Sequence, residues 1–247
     1  MGPSKDGKLQ FIYLIPNLFT AASAFLGVIG VLASVRGQYE TAAIYILLSL
    51  VFDGLDGRIA RLTKTTSKFG AEFDSLADIV AFGVAPAMLF YFSVGHQFGR
   101  LGALLAALFV VFGAIRLARF NVMSSDSEPS VFIGVPIPTA AVVSAMWVLM
   151  YEKYPFMQGL EWMVLVGHGV LAFLMVSNVR YPSFKKLDFK KAHRMKVFVY
   201  LTVTFSLVYL YPVDSATFFV TLYLLYGVGR ESYVFFVAKW KKNKYNT

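Results

Sequence analysis

The stretch Phe11-Ile12-Tyr13-Leu14-Ile15-Pro16-Asn17-Leu18-Phe19-Thr20-Ala21-Ala22-Ser23-Ala24-Phe25-Leu26-Gly27-Val28-Ile29-Gly30-Val31-Leu32-Ala33 carries no charge, and its nearest charged neighbours are Lys8 and Arg36. As a helix rising about 1.5 Å per residue, it matches the roughly 30 Å hydrocarbon core of a bilayer. Comparable neutral runs separate Asp78 from Arg100, Pro129 from Tyr151, Glu161 from Arg180 and Lys196 from Asp214. Across all 247 residues, 57% are hydrophobic, 15% are charged and the mean hydropathy is +0.63, which excludes a soluble globular enzyme of this length. The alternating polar and apolar rhythm of a barrel strand is missing, so runs this long require helices, which satisfy their own backbone groups.

The reading is an all-α integral membrane bundle of about eight helices, with spans near 11–33, 41–61, 70–93, 100–122, 135–151, 162–179, 196–213 and 216–238. Residues 1–247 read as one membrane domain, with 196–238 as additional C-terminal helices. No cleavable signal peptide is expected, because the first apolar run is too long for one. Pro182 is expected to end the sixth span, and the basic stretch 180–196 to follow as a loop. Inverted repeats of the transporter kind are not visible.

Eight spans put both termini on one side of the membrane. That side would hold 20 of the 23 Lys and Arg, leaving Arg36, Arg100 and Lys153 opposite. The asymmetry predicts cytoplasmic termini and a cytoplasmic 62–69 loop in the cell membrane. The net charge of +9 then follows from topology and from attraction to anionic membrane lipids, and no basic soluble domain exists to bind nucleic acid.

The chemistry concentrates in Asp53-Gly54-Leu55-Asp56-Gly57-Arg58-Ile59-Ala60-Arg61 and Gly70-Ala71-Glu72-Phe73-Asp74-Ser75-Leu76-Ala77-Asp78. Asp53 and Asp56 are three apart and Asp74 and Asp78 four apart, so each pair shares a helical face. The short loop between them makes the helices antiparallel neighbours whose carboxylates can face one another. Four uncompensated intramembrane carboxylates would cost on the order of 10–14 kcal/mol, adding roughly 2.5–3.5 each. Arg58 and Arg61 can neutralise part of that charge. A pair of divalent cations would neutralise all of it, and oxygen ligands favour Mg²⁺, Mn²⁺ or Ca²⁺. Such a pair is the usual clamp for displacement at phosphorus. The chain has no cysteine, so thiolate sites are excluded. Gly54, Gly57 and Gly70 suit close approach of a ligand or close helix packing.

The run Asp53-x-x-Asp56-Gly57-x-x-Ala60-Arg61, followed after eight residues by Gly70-x-x-x-Asp74-x-x-x-Asp78, resembles the complete signature of the CDP-alcohol phosphotransferases. That resemblance implies a site for two divalent cations, Mg²⁺ or Mn²⁺ with Ca²⁺ as a possible occupant, built from Asp53, Asp56, Asp74 and Asp78. It implies Asp78 as the catalytic base, and Gly57, Ala60, Arg61 and Gly70 around the CDP moiety. It also implies a homodimer. The segments Ile15–Thr20, Arg116–Asn121, Phe132–Pro138 and Tyr181–Lys185 resemble the serine-transferring branch of that family, and eight spans instead of the common six agree with it. The implied substrates are CDP-diacylglycerol and L-serine, with the active site on the cytoplasmic side.

Arg116 and Arg119 suit the serine carboxylate, which a guanidinium fork binds bidentately, or serve as anchors reaching to the bilayer surface. Asn17 contacts the nucleotide phosphates or caps backbone left free by Pro16. Asn121 reads as a helix-end hydrogen-bonder, and His168, alone in an apolar span, as a packed structural residue. Glycerol 3-phosphate and an inositol phosphate are the rival acceptors, although both would call for a denser cationic pocket. A cation transporter would explain buried aspartates but not Arg61 or the glycine spacing.

Overall fold

The computed structural model describes residues 5–123, 131–182 and 194–245. The chain folds into helices α1 (Lys5–Val35), α2 (Tyr39–Thr63), α3 (Lys68–Asp78), α4 (Ala85–Ser93), α5 (Arg100–Met123), α6 (Ile137–Lys153), α7 (Glu161–Val176), α8 (Arg194–Leu210) and α9 (Pro212–Tyr245). Each expected span falls on helical residues, although α1 begins and α9 ends well outside the expected bounds. Among the described residues, Leu14–Val35, Lys68–Ser93 and Arg100–Val122 are long and apolar enough to cross a membrane, while Glu161–Val176 and Phe198–Leu210 are apolar but shorter.

The third span is α3 and α4 joined without a break by a π-helical segment, Ile79–Val84. Pro86 has no N–H to give the carbonyl four residues earlier, and the widened turn lets Ala85 N–H reach Val80 O instead. The segment begins immediately after Asp78. Helix α1 lies close against it, since a Cβ on Gly27 would stand 2.7 Å from Ala81 Cα.

Helix α6 is the centre of the bundle. Its residues Ala140, Ala141, Val143, Ala145 and Val148 are fully enclosed, and α2, α4, α7 and α9 pack around it. His168 on α7 is buried there, held by Ser144 at 3.0 Å and stacked between Phe90 and Phe109 at centroid distances of 3.9 and 4.4 Å. This is the packed, hydrogen-bonded role expected of it.

Two short strands, β1 (Val131–Ile133) and β2 (Arg180–Pro182), pair antiparallel. They correct one expectation, because α7 ends at Val176 and Pro182 lies in β2, well beyond the helix end. The backbone carbonyls released there are taken up across the ribbon: Gly134 N–H donates to Val179 O at 2.8 Å and Val135 N–H to Leu174 O at 3.1 Å. The remainder of the 180–196 stretch up to residue 193, with His193, lies outside the described residues. Helix α9 packs on α6 and β2, and at the far end Lys153 pairs with Asp214 while Tyr154 donates to the same carboxylate at 2.6 Å.

Candidate active site

Helices α1, α2 and α3 converge where α2 ends and α3 begins. The α2 helix stops at Lys64, which adopts the left-handed conformation (φ 56°) and returns its N–H to Ala60 O and Arg61 O. Ser67 then caps α3, its side chain accepting from Gly70 N–H at 3.0 Å. A sharp turn of this kind lays α3 back along α2, as the short loop required, and brings the two aspartate segments together.

The carboxylate oxygens of Asp53, Asp56 and Asp74 lie within 4.8 Å of one another. Asp78, one turn further along α3, is not in that set; it is buried beside Asp53, with the Arg116 guanidinium close enough to act on it electrostatically. At such separations each pair of like charges repels by on the order of 3 kcal/mol at an effective dielectric of about 20. A compact set of hard oxygen donors fits an alkaline-earth or manganous ion better than zinc.

Beside the carboxylates opens a cleft lined by Pro16, Asn17, Thr20, Asp56, Gly57, Ala60, Arg61, Thr65–Ser67, Gly70, Ala71 and Asp74. The structure therefore brings together Asn17, Gly57, Ala60, Arg61 and Gly70 on one cavity wall with Asp56 and Asp74. Arg61 folds back over Gly57, with its Nη1 3.4 Å from where a Cβ would be. A Cβ on Gly70 would meet both Asn17 Oδ1 and Ser67 Oγ at 3.2 Å, so glycine lets α1 approach the start of α3. Gly54 has nothing within 4 Å of its Cβ position, and close helix packing does not explain it. The Asn17 side-chain oxygen lies beside Gly70 at the start of α3.

Two arginines of α5 differ. Arg116 is 7% exposed and stacks at 5.6 Å over Phe120, so it does not reach outward as a surface anchor would. Arg119 donates to Ile133 O at 3.0 Å and to Val176 O and Ser177 O at 3.3 Å, joining α5 to the end of α7 and to β1. Asn121 donates to Ser75 Oγ at 2.9 Å, bridging α5 and α3. The sequence reading missed Thr20, whose hydroxyl donates to Asp56 Oδ2 at 2.6 Å, and the lining residues Thr65, Thr66 and Ser67. Thr20 sits one turn after Asn17, and that spacing was the available signal.

A family model described as CDP-alcohol phosphatidyltransferase matches residues 13–176. The chain is 49% identical over 234 residues to the CDP-diacylglycerol–serine O-phosphatidyltransferase of Helicobacter pylori (strain 26695), covering 94% of this chain and 97% of that protein. It is 36% identical over 179 residues to the archaetidylserine synthase of Methanothermobacter thermautotrophicus, covering 72% and 73% of the two chains. It is 32% identical over 172 residues to the CDP-diacylglycerol–serine O-phosphatidyltransferase of Bacillus subtilis, covering 70% and 92%.

Proposed function

The chain belongs to the CDP-alcohol phosphatidyltransferase family, and from that premise we propose that it transfers the phosphatidyl group of CDP-diacylglycerol to the hydroxyl of L-serine, releasing CMP. The observation that carries the reading is the meeting of Asp53, Asp56 and Asp74 at a cleft walled by Gly57, Ala60, Arg61 and Gly70. The acceptor follows from the serine-transferring relatives, one of them nearly half identical along almost the whole chain.

The serine oxygen forms a bond to the lipid-linked phosphorus while the bridging bond to CMP breaks. Asp53, Asp56 and Asp74, with Asp78 beside them, would hold the divalent cations. Those cations, when bound, supply Lewis-acid neutralisation of the phosphoryl oxygens. The cleft binds the CDP moiety, with Arg61 over Gly57 on the diphosphate and Asn17 at the start of α3. An N-terminal helix end presents free N–H groups and a favourable dipole to phosphate. Asp78 takes the proton of the serine hydroxyl, since it borders the cluster and is buried from water. Arg116 receives the serine carboxylate, which sets the nucleophile beside that base. Arg119 is its less suited companion, because its donors already serve three carbonyls.

The same reading has residues 1–247 as one domain of eight spans in the cytoplasmic membrane, working as a homodimer. Both termini and the cleft then face the cytoplasm, in accord with the 20-to-3 distribution of basic residues. The test is incubation of purified protein with CDP-diacylglycerol and, separately, labelled serine, glycerol 3-phosphate and an inositol phosphate. Label should enter lipid from serine alone, and preferential use of a phosphorylated acceptor would refute the assignment.

A further inference from the structure

Helix α3 is amphipathic in the reverse sense from a helix of a soluble protein. Its inner face carries Gly70, Ala71 and Asp74 on the cleft, whereas Phe69, Phe73 and Leu76, spaced four and three apart, share the opposite face. Phe69 and Leu76 are 70% and 63% exposed, and Leu62, just before the turn, is 83% exposed. Phe69 and Phe73 stack at 5.9 Å, and among the described residues nothing covers most of the Phe69 ring. Around these apolar side chains Arg58, Lys64 and Lys68 are exposed, against one exposed carboxylate, Glu72.

We propose that the α2–α3 turn is an anchor for an anionic lipid surface. Leu62 and Phe69 enter the boundary between acyl chains and headgroups, and Lys64 and Lys68 contact lipid phosphates. Apolar side chains flanked by lysines suit that layer, because the rings and aliphatic groups leave water while the ammonium groups stay with the phosphates. A second copy of the chain would gain nothing from three like charges around the patch, whereas an anionic leaflet is complementary to them. The consequence for the site is positional: the mouth of the cleft, on the inner side of the same turn, is held at headgroup depth, where the diphosphate of a lipid-linked nucleotide lies. This rests on the phosphatidyl-transfer reading for its meaning, though not for its measurement.

The chain has no cysteine, so Phe69→Cys and, independently, Leu62→Cys place one thiol each for an environment-sensitive fluorophore. The labelled full-length protein is reconstituted into vesicles of phosphatidylcholine, with or without phosphatidylglycerol. The expected result is blue-shifted emission, quenched by lipids spin-labelled near the headgroup end of the acyl chain and not by aqueous iodide. Quenching by lipid should rise when phosphatidylglycerol is included, and Lys64→Asn combined with Lys68→Gln should remove that rise. Each lysine is worth about fivefold in the ratio of inserted to withdrawn turn. Iodide quenching with water-like emission would overturn the proposal. So would shielding from both quenchers together with cross-linking between copies, which would assign the patch to a second chain. A lipid-quenched signal indifferent to phosphatidylglycerol would overturn the anionic requirement. The fluorescence does not depend on which alcohol is the acceptor, so it stands or falls separately from serine transfer.

Discussion

Thr20 on α1 donates its hydroxyl to Asp56 Oδ2 on α2 at 2.6 Å, with both side chains buried. The hydroxyl has one proton, and the short contact to a carboxylate takes precedence over the 3.2 Å approach to Pro16 O. The bond fixes the orientation of the Asp56 carboxylate, one of the three gathered in the cluster. Thr20→Val keeps the shape and removes the donor, and a hydrogen bond to a charged group is worth roughly 1.5–3 kcal/mol, or about 10- to 150-fold. Serine incorporation should fall within that range in Thr20→Val and stay near normal in Thr20→Ser. Equal activity in both variants would remove Thr20 from the site.

Chelation tests the carboxylate cluster. EDTA should abolish turnover, Mg²⁺ or Mn²⁺ should restore it, and Asp53→Asn and Asp74→Asn should each lose activity while the protein is still made and inserted. Each substitution keeps the side-chain size and removes one anionic ligand from a set gathered within 4.8 Å. Undiminished turnover in excess chelator contradicts the metal reading.

Membrane sidedness is checked with single cysteines. Thr65, though in the turn, is buried, so the accessible position is Thr66, paired with exposed Gln97 after α4. A membrane-impermeant thiol reagent should reach Thr66→Cys from the cytoplasmic side and Gln97→Cys from the other. Labelling of both from one side would dismantle the span assignment.

The helices and the facing of the two aspartate segments were legible in the sequence because both depend on local spacing. Uncharged runs set the spans, and the spacing of the aspartates brought Asp53, Asp56 and Asp74 together while Asp78 stands outside that set. Nothing local announced the β1–β2 ribbon, since its strands are three residues each and its central pair, Phe132 and Tyr181, is 49 positions apart. The roles of Arg116 and Arg119 were equally hidden. Three positions apart on one helix, they differ only in what the fold brings to them, Asp78 in one case and the carbonyls of Ile133, Val176 and Ser177 in the other. The π-helical segment had a signal in Pro86, but a proline predicts a disturbed turn without saying how the freed carbonyl is satisfied.

The joint between α9 and the ribbon is narrow. A Cβ on Gly227 would stand 2.0 Å from Cε1 of the fully buried Tyr181 on β2, in the body of a ring that cannot move aside. Overpacking of a filled core costs roughly 1–3 kcal/mol. Gly227→Ala should therefore lower the detergent-solubilised melting temperature, and Tyr181→Leu in the same chain should recover part of the loss. A Gly227→Ala protein as stable as the parent would mean that α9 does not pack on β2 in the membrane.

Arg119 separates two accounts of the α5 arginines. If it bound the serine carboxylate, Arg119→Ala would raise the KM for serine and leave stability alone. Its guanidinium instead donates to three carbonyls, two of them at the C-terminal end of α7, where a cation is favoured by the helix dipole. Gly134 records how tightly the group is enclosed: its φ is +75°, and a Cβ there would meet Arg119 Nη2 at 3.0 Å and Met175 O at 2.3 Å. Removing the fork takes a charged donor from those carbonyls, and a hydrogen bond to a charged group is worth roughly 1.5–3 kcal/mol. Arg119→Ala should thus lower the melting temperature with little change in serine KM, and Arg119→Lys should restore only part, since one ammonium cannot reproduce the fork. Arg116→Ala should do the converse, raising serine KM by about 10- to 150-fold for a lost charge-assisted bond while CDP-diacylglycerol binding is kept. A serine KM raised by Arg119→Ala at unchanged stability would return the carboxylate to Arg119.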